Sequence, residues 1–215
     1  DIENNVNENK TKIKNKQLTF CYVGSLYGGT RRLNIFFKAL SLIIEKGIID
    51  IKDVRVVYAG KEFIELFRQA SEFNLTGILE DRGSVSRAES IMIQKNSDLI
   101  LVVTWNTIKD QGVLTGKLFE CFLTKKIILG IVNGDMPDSE FKNIISNVNG
   151  GFVFEDSTLN YEEDFEKLIF FIRDAYIEKK EFNVLTSKYN MKLDNFNYQN
   201  ITNQLDSYFN KNIEN

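Results

Sequence analysis

The segment "GVLTGKLFE", residues 112 to 120, puts a cation where a helix least favours one. It follows a strand-like run, Leu99 to Trp105, and a polar loop, and it opens an amphipathic stretch with Lys117 in the first turn. Helix N-termini expose unpaired N–H groups and carry about half a positive charge, so anions stabilise them and lysine does not. A second loop, "GSLYGGTRR", breaks the rule in the same direction. Its glycines at 24, 28 and 29 free the backbone, Thr30 is a candidate cap, and Arg31 and Arg32 are expected in the first turn of the next helix. A bound phosphate or diphosphate resolves both anomalies, because helix N-termini, glycine loops and basic side chains all complement it. The alternative is that these three basic side chains point into water.

Glu120 lies about one turn inside the helix that Lys117 opens. An ionised carboxylate there can accept two hydrogen bonds from the vicinal hydroxyls of a ribose. The plainer alternative is an acid placed favourably near a helix start. Other phosphate signatures fail. A dinucleotide fingerprint needs G-x-G-x-x-G and an acid roughly 20 residues on. Here the loop reads G-S-L-Y-G-G and the second strand ends in Tyr58-Ala59-Gly60, which argues against NAD. A P-loop needs four residues between its glycines and Ser or Thr after the lysine. Only three residues stand between Gly112 and Gly116-Lys117, and Leu118 follows, which argues against ATP or GTP hydrolysis.

The elements that must position these residues read as βα units. With 215 residues, 43% hydrophobic and 27% charged, the chain is expected to form one globular domain. From Leu18 onward, short runs rich in β-branched and aromatic residues alternate with longer segments of helical period. Strands are expected at 18–24, 54–60, within 77–85, at 97–105, 126–132 and 151–155. Helices are expected from about 31 to 46, along a stripe of Phe63, Leu66, Phe67 and Ala70, after a Ser86/Glu89 capping box, and through 124. A further helix should carry Pro137 in its first turn. Phe165, Leu168, Ile169, Ile172 and Tyr176 mark a long helix, and Ile201, Leu205 and Tyr208 a last one. The expected fold is α/β: a doubly wound, mainly parallel, Rossmann-like sheet flanked by helices, with a C-terminal helical tail. Ligands of such sheets bind beyond the carboxyl ends of the strands. Residues 1–17 read as a polar lead or linker, 18–180 as the domain and 181–215 as the tail packing on it.

Composition narrows the chemistry. A net charge of −3 argues against broad nucleic-acid binding, so any anion site must be built locally. The absence of histidine removes the commonest general base, the usual zinc ligand and every imidazole triad. Cys21 and Cys121 match no metal spacing and read as small core residues in a reducing compartment. No apolar run approaches the ~18 residues of a membrane span, and no signal peptide is evident, so a cytoplasmic location is expected. The chain begins with Asp1, and a piece of a longer protein is expected.

Taken together, "YVGSLYGGTRRLNIFFKAL", "VYAG", "GSVSRAESI", "SDLILVVTW" and "DQGVLTGKLFECFLTKKIILGI" resemble the C-terminal, nucleotide-sugar-binding domain of retaining glycosyltransferases of family 4, which have the GT-B fold. The resemblance runs from about Leu18 to Glu155, and "YNMKLDNFNYQNITNQLDSYF" is similar to that domain's closing helices. It implies hexosyl transfer from a nucleoside-diphosphate sugar of the UDP or GDP type, with retention and without a metal or other cofactor. Gly28 and Gly29 would then lie near the diphosphate and Arg31 would take the basic diphosphate-binding position. Ser84 and Val85 would meet the base through the backbone, Leu114 and Thr115 would offer donors to the phosphates, and Glu120 would grip the ribose. Arg31 and Lys117 would stabilise the departing diphosphate. The family's paired-glutamate motif has its first glutamate eight residues before the second, where this chain has Gly112; Asp110 and Gln111 are near-misses in register. Lys117 also departs from the broader family and resembles a subgroup with "GVLTGK" in this loop.

The resemblance also implies an absent N-terminal Rossmann-like domain that binds the acceptor, a glycan or lipid-linked glycan, in bacterial polysaccharide or glycoconjugate assembly, with peripheral membrane association of the full protein. Two rivals stand beside it. One is a sugar-nucleotide 2-epimerase-like enzyme, weakened by the lack of histidine; the other is a noncatalytic nucleotide-binding or interaction domain, favoured by Gly112.

Overall fold

The computed structural model describes residues 17–110, 116–185, 189 and 191–192. Six strands form one all-parallel sheet: β1 (Leu18–Val23), β2 (Val54–Ala59), β3 (Leu79–Asp81), β4 (Leu99–Trp105), β5 (Ile127–Asn133) and β6 (Gly151–Glu155). The helices between and after them are α1 (Asn34–Glu45), α2 (Phe63–Ser71), α3 (Arg87–Asn96), α4 (Gly116–Thr124), α5 (Glu140–Asn147) and α6 (Tyr161–Phe182).

Parallel strands covered on both faces need apolar residues at successive positions, and "IILGIVN" of β5 is buried at every one. Side chains of β1 alternate between two cores, as a period of two requires. Phe20 and Tyr22 join the aromatic core under α1, α2 and α6, while Cys21 faces a second one with Leu118, Phe122, Phe141 and Ile145 from α4 and α5. Burial pushes the Cys21 thiol up to about 12, which leaves it inert. The strand order is β3-β2-β1-β4-β5-β6, so the winding reverses between β1 and β4. The loops after those two strands diverge there and leave a crevice, the place where open α/β sheets hold ligands.

Several expected boundaries shift. The first helix starts at Asn34, with Leu33 in the cap position and no side-chain cap, so Thr30 caps nothing and Arg31 and Arg32 precede the first turn. The helix after Pro137 starts at Glu140 under a Ser139 cap, because Asp138 adopts a left-handed φ of 56° and breaks continuity. Phe67 leaves its expected stripe and is largely exposed, whereas Leu66 and Ala70 are buried. The Ser86/Glu89 capping box forms as the sequence signals. Near the far end of α6, Lys179 meets Asp98 at 2.8 Å, and Asp98 also accepts the Thr19 amide at 2.9 Å, tying the helix to the start of β1 and β4. Ile201, Leu205 and Tyr208, and with them most of the expected tail, lie outside the described residues.

Candidate functional site

The loop after β1 folds around a carboxylate of its own chain. Glu62, just beyond the neighbouring β2, accepts the amides of Leu26 at 2.7 Å, Tyr27 at 3.1 Å and Gly28 at 2.7 Å, together with the Ser25 hydroxyl. Parallel pairing of Val23 with Ala59 brings the two strand ends side by side, which is why a residue after β2 reaches the loop after β1. The Ser25 hydroxyl first, then the Gly28 amide, lower the Glu62 carboxyl to about 2. The amides of Gly29, Thr30 and Arg31 close turns onto the carbonyls of Leu26, Tyr27 and Leu26. Those of Arg32 and Leu33 go to the side chains of Asn133 and Gln69. Every backbone N–H from Leu26 to Leu33 therefore donates inside the protein. An anion arriving here meets side chains, not the glycine loop's amides.

Arg31 is the side chain left over. The residue is only 6% exposed, its guanidinium lies 4.6 Å from the centroid of the Tyr27 ring and 5.4 Å from that of Trp105, and Nη1 makes one long bond, 3.4 Å, to the Ser25 carbonyl. Its buried Nε has no acceptor. No carboxylate among the described residues pairs with it: Arg32 takes Asp156 at 3.2 Å, and Glu62 is occupied by the loop. Tyr22 cannot supply the charge, since burial pushes its hydroxyl up to about 12 despite Arg31 nearby, and it donates to Ser25. A buried cation without a counter-ion costs several kcal/mol unless something negative completes it.

Arg31 separates two hollows. On the open side is a cleft of about 560 Å³ lined by Tyr27, Gly29, Arg31, Arg32, Trp105 and Asp110, among others. On the inner side a small cavity of about 50 Å³ runs to Ser90, Gln94 and Glu120. Both sit at the carboxyl ends of β1 and β4, at the reversal of winding. The cleft combines a cation, two aromatic faces and the Asp110 carboxylate, which Trp105 Nε1 holds at 3.0 Å. That set suits a ligand with an anionic group beside a flat or polyhydroxylated ring.

The residues expected to act together are only partly assembled. Gly29 and Arg31 share the cleft, and Arg31 and Glu120 share the inner cavity. Gly28 leads away from it, with a left-handed φ of 61° and its amide on Glu62. Glu120 is the fifth residue of α4, but Arg87 Nε, from the first residue of α3, donates to its Oε1 at 2.8 Å. Ser84 is exposed in the loop after β3, and Val85 lines a different groove with Arg55 and Met92. Lys117 is the second residue of α4, with a side chain outside what is described. Leu114, Thr115, Gly112 and Gln111 lie outside the described residues. Among the described residues, no group of three or more His, Cys, Asp or Glu is arranged to hold a metal ion, and no helix is long and apolar enough to cross a membrane. Glu62, Tyr27, Trp105 and Arg87 are additions from the structure. Only Glu62 had a signal in the sequence, its place just past the end of the second expected strand.

No family model and no curated protein matches the chain. Solved structures do. WaaG, a glycosyltransferase involved in lipopolysaccharide biosynthesis, is 14% identical at a TM-score of 0.51, over 81% of this chain and 44% of that one. The lipopolysaccharide outer core galactosyltransferase WaaB gives 13% and 0.51, over 77% and 42%. The pneumococcal O-GlcNAc transferase GtfA, solved with UDP and GlcNAc, gives 13% and 0.52, over 77% and 30%. The chain thus spans less than half the length of each of these three structures. Its six parallel strands and flanking helices have the Rossmann-like fold found in these GT-B glycosyltransferases.

Proposed function

We propose that this domain binds a nucleoside-diphosphate sugar, of the UDP or GDP type, as the donor half of a retaining, metal-independent hexosyltransferase. The observation that carries the reading is Arg31: a buried guanidinium with no counter-ion among the described residues, set in the crevice where the sheet reverses. A diphosphate completes its charge. The Trp105 and Tyr27 faces and the Asp110 carboxylate then flank the groups attached to that diphosphate. In the transfer step the C–O bond from sugar to diphosphate breaks while the same carbon bonds to the acceptor hydroxyl oxygen, whose proton passes to the departing diphosphate, and negative charge grows on the leaving oxygens. A fixed cation stabilises that charge without reorganising, which is the effect asked of Arg31 and of Lys117 at the start of α4. Glu120 holds the ribose once Arg87 lets go of it. The acceptor, a glycan or lipid-linked glycan, would be bound by a further Rossmann-like domain, and the whole would work in polysaccharide or glycoconjugate assembly on the cytoplasmic side of a membrane.

A second reading, a noncatalytic nucleotide-binding domain, is favoured by one feature: Gly112 occupies the place of the motif's first glutamate. Calorimetric titration of the chain with UDP, GDP, ADP and NAD tests binding, and the same titration of Glu120→Ala tests the ribose contact. Binding of one nucleoside diphosphate in the micromolar to low-millimolar range, at least tenfold weaker in the variant, is the expected result. Equal binding by wild type and variant would remove Glu120 from the site, and no binding by any nucleotide would count against the donor-domain reading.

A further inference from the structure

Two buried amide side chains grip the three residues that carry Arg31. Gln69, fully buried on α2, accepts the Leu33 amide at 2.7 Å through Oε1 and donates through Nε2 to the Arg31 carbonyl at 3.2 Å. Asn133, 4% exposed as the last residue of β5, mirrors it from the other side. Its Oδ1 accepts the Arg32 amide at 2.8 Å and its Nδ2 donates to the Arg32 carbonyl at 3.3 Å. Each amide thus pairs with the main chain as a strand neighbour would, although residues 31–33 belong to no strand. Both clamps are themselves anchored. Gln69 Nε2 also donates to Glu65 at 2.9 Å, a carboxylate that Arg68 holds in turn, and Asn133 Nδ2 donates to Asp156 at 3.2 Å, the partner of Arg32.

A site that binds through one guanidinium depends on where that group sits, and a displacement of about 1 Å is enough to lose much of the interaction. The side-chain contacts of Arg31 are weak positional restraints: two ring faces, one long hydrogen bond and the neighbouring Tyr22 hydroxyl. Its backbone carries the restraint instead. We infer that Gln69 and Asn133 are positioning residues for anion recognition, fixing the Arg31–Leu33 backbone so that the guanidinium is presented to the cleft before any ligand arrives. The inference rests on the reading of Arg31 as the phosphate ligand. It adds that the precision of the site comes from α2 and from β5, which contribute no charge to it.

The test is a double-mutant cycle on the full chain, with UDP and inorganic pyrophosphate as probes and calorimetry as the readout. Arg31→Ala establishes the cation's share. Asn133→Ala and Gln69→Ala are each expected to weaken pyrophosphate binding by about fivefold or more, and to have no further effect once Arg31 is already alanine. A merely structural role would lower the melting temperature while leaving affinity intact, or would weaken binding equally in both backgrounds; either result overturns the positioning role. Should an alanine variant fail to fold, Asn133→Leu and Gln69→Met keep the side-chain volume, add no charge and remove the contacts to the main chain. They are expected to weaken pyrophosphate binding in the same Arg31-dependent way, and unchanged affinity in both would count against the inference. If Arg31→Ala itself leaves binding unchanged, the phosphate reading falls first, and the positioning role with it.

Discussion

The loop after β1 and the cleft beside it handle charge in opposite ways. In the loop, a carboxylate has been brought to the amides: Glu62 receives three backbone N–H groups and a hydroxyl and stays ionised far into acid. The start of α5 repeats the pattern. Glu155, buried at the end of β6, accepts the amides of Asp138 at 3.1 Å and Ser139 at 2.9 Å and the Lys142 ammonium at 3.1 Å. In the cleft, the cation Arg31 has been buried and nothing in the described protein answers it. An anion-binding geometry is therefore weak evidence of a ligand when the chain can fill it from within. An unanswered buried charge is stronger evidence, because its cost persists until a ligand removes it.

That contrast can be broken at either end. The largest effect expected is on ligand affinity: Arg31→Ala should weaken UDP or pyrophosphate binding by about 2–5 kcal/mol, the cost of removing one partner of a desolvated charge pair, measured by calorimetry. An affinity within twofold of wild type would break the comparison outright. Glu62→Gln should act on the fold instead, lowering stability by about 1–3 kcal/mol in urea unfolding at neutral pH. The sign with pH follows from the lowered carboxyl. Stability from ionised Glu62 is present above its ordinary value of 4.5 and is lost as pH falls towards about 2. The gap between wild type and Glu62→Gln should close on acidification across that window, and a gap that widens would be the contrary result.

Gly29→Ala probes the seam between the two regions. Gly29 has a left-handed φ of 89°, and an added Cβ would lie 2.8 Å from Glu65 Oε1, which Arg68 and Gln69 already hold. A stability loss of more than about 1 kcal/mol is expected. Arg31→Met should move stability the other way, by about 1 kcal/mol, since it replaces an uncompensated buried cation with an apolar chain of similar length. The smallest effect belongs to Arg87→Ala. Its ion pair with Glu120 is mostly exposed on the arginine side, so stability should change by under about 0.5 kcal/mol. If Arg87 competes for the ribose acceptor, UDP affinity should rise, and a fall would mean that Arg87 itself contacts the nucleotide.

Much of the architecture was legible in order. All six strands lie where runs such as "LTFCYV" and "IILGIV" mark them, because strand formation on a doubly covered sheet is a local matter of apolar, β-branched sequence. The capping box at Ser86 is equally local. The start of α1 was not legible: Arg31 and Arg32 have fair helix propensity, but the Arg32 amide and carbonyl are held by Asn133, 101 residues away in the chain, and the Arg31 carbonyl by Gln69, 38 residues away. The anomaly of two cations in a first turn thus disappears, and a different one, Arg31 without a partner, takes its place.

By itself the sequence determined the succession of strands and helices, the two-sided core, and the presence of basic residues in loops that follow strands. These depend on period and on residues near one another in the chain. Tertiary structure alone decided which charges are spoken for. Whether the glycine loop is empty depends on Glu62 arriving from beyond β2, whether Glu120 is available depends on Arg87 of α3, and whether Arg31 is satisfied depends on every carboxylate that could have reached it. Electrostatic completion is a property of neighbours in space, and the sheet sets those neighbours by an order of strands that differs from their order in the chain.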